Sequence, residues 1–314
     1  MYRIGVDLGG TNIAVGLVDE EKKLVKKKSV PTGAERPAEQ IVDDIAAVCR
    51  ALCTEAGVPL SEIASVGIAT PGIANHDTGV VEYANNLPFR KLPLADMLRE
   101  RLGVERVKIE NDANAAAWGE AVAGAAQGTR NSIMITLGTG VGGGIIIDNK
   151  VYSGFNYAGG ELGHIVIRVD GAPCSCGRHG CWEAYSSATA LIRMTREKIE
   201  ECEAEGRETL MSKAEKISGR TACDAMRQGD AAAKEVYDLY IHDLASGLAT
   251  IINIFQPEVI SLGGGISNEG QSLIDSLLPI VRKEQYGGGV VPMTDIRIAR
   301  LGNDAGIIGA AMLG

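Results

Sequence analysis

The sequence predicts an α/β protein built around a duplicated domain. Three observations lead there. Short apolar runs alternate with longer helical patterns along the 314 residues. The stretch Val6–Asp19, "VDLGGTNIAVGLVD", reappears without gaps as "ITLGTGVGGGIIID" at Ile135–Asp148. No low-complexity linker separates the two copies.

The strands expected, in chain order, are "RIGVDLG", "IAVGLVD", "SVGIAT", "RVKIEND", "SIMITLG", "GGIIIDN", "EVISLGG" and "DIRIARLG". Lys22–Lys28 lies in an alternating basic stretch that suits a solvent-facing edge strand. Helices are expected at Ala38–Ala56, Ala113–Ala126, Ala231–Phe255, Gln271–Glu284 and Ala305–Leu313. The charged stretch Glu197–Lys216 reads as a solvated helix pair. Ala, Val, Ile and Leu must fill the core, because aromatics make up only 4% of the chain.

Composition narrows the function. Lysine and arginine number 31 against 40 acidic residues, a net charge of -9, which argues against nucleic-acid binding by bulk electrostatics. No run approaches the roughly 20 apolar residues of a membrane span. The first residues, "MYRIGVDLGG", read directly as strand and turn with no signal segment, so a cytoplasmic location is expected. Seven cysteines, an odd number, suit reduced thiols better than a disulfide framework.

The repeated glycine-rich segment needs a reason. A dinucleotide fingerprint runs from strand through glycines into a helix. Here "GTGVGGG" leads into "IIID", a second strand. A phosphate loop of the Walker type ends in Gly-Lys-Ser/Thr, which the chain lacks. What remains is a hairpin whose backbone N–H groups can approach a phosphate because no Cβ stands in the way. A plain tight turn is the alternative for one hairpin; two matched copies favour phosphate, with a ligand between the halves.

The motifs together resemble the actin–hexokinase architecture, which is ribonuclease H-like, and more narrowly the ROK family of bacterial sugar kinases. "DLGGTN" (Asp7–Asn12) and "LGTGVGGG" (Leu137–Gly144) resemble its two phosphate motifs. "ENDANAAAWGE" (Glu110–Glu120) resembles its catalytic segment, "GGELGH" (Gly159–His164) and "CSCGRHGCWE" (Cys174–Glu183) its sugar and zinc motifs, and "LGGGIS" (Leu262–Ser267) its adenosine motif. The resemblance covers the whole chain. It implies two domains with a cleft between them: a small one over residues 1–112, rejoined by a last helix at about 304–314, and a large one over 113–303 with a zinc-binding loop.

The expected chemistry is ATP-dependent phosphorylation of a hexose, glucose first. N-acetylglucosamine, N-acetylmannosamine, fructose or allose are alternatives. A sugar-responsive repressor is a rival of another class. It would carry an N-terminal helix-turn-helix extension, whereas the first strand here is expected to start at Tyr2. The resemblance also suits a homodimer or tetramer, with sugar and ATP as the small-molecule partners.

Asp112 ends the strand "VKIEND" just before a helix, at the strand end where open α/β sheets bind ligands. It is expected to be the general base; an N-cap role is the competing reading. The resemblance assigns Asn111, Glu161, His164 and Glu183 to the sugar, and also Asn85, Asn86 and Gly72, where an ordinary turn is the competing reading. It assigns Gly9, Gly10, Thr11, Asn12, Gly138, Thr139, Gly140, Gly264 and Gly265 to ATP, and places Asp7 near Mg²⁺, acting through water. Cys174, Cys176 and Cys181, with His164 ten residues upstream of the first, make a Cys₃His set suited to structural Zn²⁺, although the spacing is not that of a zinc finger. His164 would then serve both metal and sugar.

Overall fold

The computed structural model describes all 314 residues. It contains β1 (Tyr2–Leu8), β2 (Asn12–Val18), β3 (Leu24–Pro31), α1 (Ala38–Ala56), β4 (Ile63–Thr70), β5 (Ile73–Asn75), β6 (Val80–Tyr83), β7 (Arg90–Leu92), α2 (Leu94–Leu102), β8 (Val107–Asn111) and α3 (Asp112–Ala123). Next come β9 (Ser132–Leu137), β10 (Val141–Ile147), β11 (Lys150–Tyr152), α4 (Glu183–Ser186), α5 (Ala188–Ala204), α6 (Thr221–Arg227) and α7 (Ala231–Phe255). The chain ends with β12 (Val259–Gly263), α8 (Gln271–Glu284), β13 (Asp295–Ile298) and α9 (Ala305–Ala311).

Two five-stranded sheets repeat one plan. The first runs β3-β2-β1-β4-β8, the second β11-β10-β9-β12-β13. In the first, β2 is antiparallel to β1 and β3, while β4 is parallel to β1 and β8. The second shares the antiparallel edge, β10 with β11, and the parallel edge, β12 with β13. The internal repeat in sequence is thus a repeat in structure. Edge strand β3 alternates half-buried and exposed residues, as its lysines predict.

Contact density divides the chain into two units: residues 1–134, 144–160 and 299–314, and residues 135–143 and 161–298. The sequence expectation ended the first domain at Asp112, whereas α3 falls in the first unit because it packs on α9. Glycines permit that approach. A Cβ on Gly309 would collide with the Ala115 carbonyl, and one on Gly119 with the Ala305 carbonyl. Three more glycines, Gly5, Gly16 and Gly67, sit in one row across β1, β2 and β4. Side chains at Gly5 and Gly67 would strike the α9 backbone at Ile307 and Ala310. Buried Glu120 fixes the return of the chain: its carboxylate accepts from the backbone N–H groups of Ala125 (2.6 Å), Arg300 (3.1 Å) and Leu301 (2.7 Å). Behind the sheet, Ile41, Ile45 and Leu52 of α1 close over Val6, Leu8, Ile13 and Val15.

α1, α7 and α8 have the expected bounds. α3 starts one residue earlier and stops at Ala123, before Gly124, where a side chain would run into the Glu120 carboxylate. α9 ends at Ala311, two residues short of the expected Leu313. The charged stretch at Glu197–Lys216 is corrected: α5 ends at Ala204 and only a 3₁₀ turn, Leu210–Lys213, follows. Gly206 has φ 67°, and Asp230 draws the turn in by accepting from Thr209 Oγ1 (2.7 Å) and Leu210 N (2.5 Å). No helix is long and apolar enough to cross a membrane.

Candidate active site

In the first unit, β1 turns into β2 through Gly9–Thr11, closed by Gly9 N donating to Asn12 O (2.8 Å). Thr32, just after β3, holds the turn by donating from its N–H to Thr11 O (2.8 Å) and from Oγ1 to Gly9 O (2.7 Å). Asp7 lies on the β1 strand that feeds this turn and is largely covered. Glycine at position 306 makes room for it, since a Cβ there would stand 2.9 Å from Asp7 Oδ2. Burial, and then the neighbouring Asp112 carboxylate, raise the Asp7 pKa to about 6.

That shift costs stability. The group titrates near 3.8 when unfolded and near 6 when folded, so the cost is absent below the lower value and complete above the upper. Asp7→Asn is therefore expected to stabilise the magnesium-free protein by about 1–3 kcal/mol near pH 7.5. Urea unfolding at two pH values checks this: the gain should fall by more than half near pH 4.5, and an equal difference at both would contradict it.

Asp112 is the first residue of α3, and the N-cap is Asn111. The Asn111 Oδ1 accepts from Ala113 N (3.0 Å) and Asn114 N (3.2 Å), and its Nδ2 donates to Gly72 O (3.1 Å). Asp112 Oδ1 also faces Ala113 N at 2.9 Å. The amide of Asn111 has one remaining donor hydrogen, so any sugar contact it makes is limited to that. Gly72 has a local reason to be glycine: φ is 90° and a Cβ would strike the Tyr83 carbonyl. Asn85 and Asn86 are exposed in the loop between β6 and β7. Tyr83 Oη donates to Asn85 Oδ1 (3.2 Å), and a Cβ on Gly10 would come within 3.0 Å of Asn86 Nδ2. The first glycine hairpin, the asparagine loop and the Asp7–Asp112 pair thus gather in this unit.

In the second unit, Gly138 N donates to Gly140 O (3.0 Å), while Ala188 N and Thr189 Oγ1 hold the turn through Gly138 O and Thr139 O, both at 2.8 Å. Gly264, with φ 84°, presses against the Leu137 backbone, so the end of β12 abuts this hairpin. Cβ positions on Gly138 and Gly265 would meet nothing within 4 Å. The Glu161–His164 turn is clamped to β10: side chains on Gly143 and Gly163 would strike Leu162 and the Val141 carbonyl. Glu161 itself is exposed.

The loop after His164 folds back on itself. Trp182 N donates to Ile165 O (2.8 Å), Ile167 N to Gly180 O (2.9 Å), and Val166 pairs with Cys181. This ladder delivers Cys181 to His164, and a turn closed by Gly177 N to Cys174 O (3.0 Å) brings the other two cysteines round. The four ligand atoms of His164, Cys174, Cys176 and Cys181 lie within 4.8 Å of one another. Tetrahedral bonds of about 2.3 Å to sulfur and about 2.0 Å to nitrogen would set sulfurs about 3.8 Å apart and sulfur about 3.5 Å from nitrogen. Cys176 and Cys181 are 3.7 Å apart, and Cys174 Sγ is 3.6 Å from His164 Nδ1. The cluster could therefore hold a metal ion, with Nδ1 as the histidine ligand. Burial pushes the Cys181 thiol up to about 12 in the absence of a cation. Trp182 anchors the loop by donating from Nε1 to Asp243 O (3.1 Å), and Gly247 of α7 makes room for its ring.

Glu183 is already engaged within the protein. Oε2 accepts from Val141 N (2.9 Å), just after the hairpin turn, and Oε1 from Ser175 Oγ (3.1 Å) in the cysteine loop. It ties the second glycine hairpin to the Cys₃His cluster, a role its position in the motif did not reveal. His76 and Glu110 were also missed as partners: Nδ1 stands 3.0 Å from Glu110 Oε2 across 34 residues of sequence. Cys49, Cys53, Cys202 and Cys223 are buried packing residues. Two surface clefts of about 550 and 560 Å³ contain none of the expected site residues; Arg36 and Asp44 line one, Tyr286 and Met293 the other.

A repeated sheet with a glycine hairpin on each copy, a carboxylate opening the helix that follows a buried strand and a Cys₃His loop fit the two-domain sugar-kinase class of α/β proteins. The ROK family model matches residues 3–314, so the chain belongs to the ROK family. A glucokinase of Streptomyces coelicolor is 40% identical over 99% of this chain and 96% of its own length. A glucokinase of Thermotoga maritima is 37% identical over 99% and 96%. The crystal structure of a ROK family glucokinase from Streptomyces griseus in complex with glucose and AMPPNP has a TM-score of 0.79 and 38% identity, covering 100% of this chain and 99% of that one.

Proposed function

We propose that the chain is a glucokinase, transferring the γ-phosphate of ATP to the 6-hydroxyl of glucose. The observation that carries the reading is the cap of α3. Asn111 caps the helix, so Asp112 at its first position is not needed for that task. The Asp112 carboxylate accepts the proton of the 6-hydroxyl as the oxygen attacks phosphorus. Asn111, Glu161, His164 and Glu183 orient the sugar, with Asn85, Asn86 and the Gly72 backbone as further contacts. The hairpins Gly9–Asn12 and Gly138–Gly140 cradle phosphates, and the adenosine lies against Gly264 and Gly265, with open space over Gly265. These sequence motifs, and the glucose and AMPPNP held by the Streptomyces griseus relative, support the assignment.

Magnesium arriving with ATP would neutralise phosphate charge, and Asp7 would face it through water. The Cys₃His donor set suits zinc in a closed, structural site. With Nδ1 in the cluster, the remaining proton of a neutral His164 sits on Nε2, a donor for a sugar hydroxyl. The reading extends to a cytoplasmic homo-oligomer feeding glucose into glycolysis.

Glucose should exceed N-acetylglucosamine and N-acetylmannosamine in kcat/KM by at least about tenfold, or ~1.4 kcal/mol in transition-state binding. An acetamido group is bulky, and a pocket closed around a 2-hydroxyl would have to open to admit it. Initial rates for the three sugars at matched ATP and Mg²⁺ decide the matter; an N-acetyl sugar as the better substrate would overturn the choice of glucose.

A further inference from the structure

Beside the catalytic helix of the first unit lies a polar chain that the reaction as described leaves unused. Glu110, the residue before the N-cap, is 3% exposed, and its carboxylate is fully engaged. Oε1 accepts from Asn111 N (2.9 Å) and from Asn114 Nδ2 (3.1 Å), one turn into α3. Oε2 meets His76 Nδ1 at 3.0 Å. His76 stands in the turn between β5 and β6, with its Nε2 3.7 Å from Asp77 Oδ1. Asp77 Oδ2 accepts from Tyr157 Oη (2.6 Å), and the Tyr157 ring stands edge-on to His76 with centroids 5.0 Å apart.

A buried carboxylate needs partners on both oxygens, and a pair that loses one partner leaves an uncompensated charge. Here the partners on one oxygen are the peptide and side chain that bracket Asp112. The partner on the other is the imidazole. Moving Glu110 would move the Asn111 peptide, and with it the first residue of α3.

We propose that His76 is a positioning residue for catalysis: through Glu110 it fixes the Asn111–Asn114 turn and so the direction in which Asp112 presents its carboxylate to the sugar hydroxyl. The proposal rests on the reading of Asp112 as the base. The groups facing His76 agree with it. Glu110 and Asp77 favour its protonated form, Lys108 opposes it, and the hydrogen bond to Glu110 dominates, raising the histidine pKa above its ordinary value. Tyr157 lies four residues before Glu161, so the same chain of contacts ends on the segment that leads into the proposed sugar turn.

The test is a double-mutant cycle between position 76 and Asp112, read by steady-state kinetics with glucose and MgATP. His76→Ala should lower kcat by about tenfold to a hundredfold, the scale of a misplaced catalytic group, with KM for glucose and ATP changed less than about threefold. His76→Asn, whose amide nitrogen falls near the Nδ1 position, should restore most of the loss. In an Asp112→Asn background His76→Ala should cost less than about threefold, because the group it positions has been removed. If the alanine variant does not fold, His76→Gln, whose amide lies beyond the Nδ1 position, carries the same expectations. Normal kcat in the His76 variants while Asp112→Asn is inactive would overturn the positioning role alone. Equal losses in both backgrounds would also overturn it, showing a general structural effect. Near-normal turnover of Asp112→Asn would overturn the base assignment itself and the positioning role with it.

Discussion

Asp112→Asn is expected to lower kcat by about 10²–10⁴, the range for losing a general base. The substitution is a clean one in this setting. An asparagine Oδ1 can keep the contact to Ala113 N, and the helix keeps its cap on Asn111. Folding stability should therefore change little. Removing the negative charge also relieves Asp7, whose pKa Asp112 helps to raise. Glucose affinity should change much less than turnover, because the amide preserves the shape of the site and can still hydrogen-bond a hydroxyl. ADP release measured with calorimetric glucose binding separates the two effects. A variant with near-normal turnover would show that no proton passes through this carboxylate.

Cys176→Ser is expected to take zinc content from about one ion per chain to nearly none, because a hydroxyl is a poor substitute for thiolate in a closed sulfur-rich site. The choice of cysteine matters. Cys181 is wholly buried, so changing it would disturb packing as well as ligation, whereas Cys176 is exposed. A stability loss of at least about 2 kcal/mol in Cys176→Ser would then report the metal rather than a cavity. Glucose affinity should fall together with stability, by about tenfold or more, since release of the cluster frees His164 and loosens Ser175, which donates to Glu183. Elemental analysis of freshly purified protein, wild type beside variant, checks the expectation. A wild type without zinc, or a variant that binds glucose as tightly as wild type, would contradict it.

Much of this was legible in the sequence, for local reasons. α7 could be bounded because Asp230 caps it, accepting from Ala233 N (3.0 Å), and α1 because Gly57 follows it in the left-handed conformation with φ 68°. The two hairpins were readable because they are copies, and the Cys₃His cluster because three of its residues fall within eight positions. Contacts set by tertiary packing were not legible. The strands β5 and β7 have three residues each, too few to show a period, yet with β6 they form the sheet that carries His76 and leads to the asparagine loop. The place of α3 beside α9 depends on Gly119 and Gly309 meeting across almost two hundred residues. The motif could place Glu183 in a sugar kinase, but only the fold brings it to Val141 N, and only the fold puts His76 against Glu110.

The central claim is phosphoryl transfer to the 6-hydroxyl of glucose, and phosphorus NMR of the products tests it most directly. Purified protein given glucose, ATP and Mg²⁺ should form ADP and glucose 6-phosphate in equal amounts, with little ADP when glucose is omitted. ATP left intact in the presence of glucose, or converted to ADP and inorganic phosphate at the same rate with and without the sugar, would contradict the account.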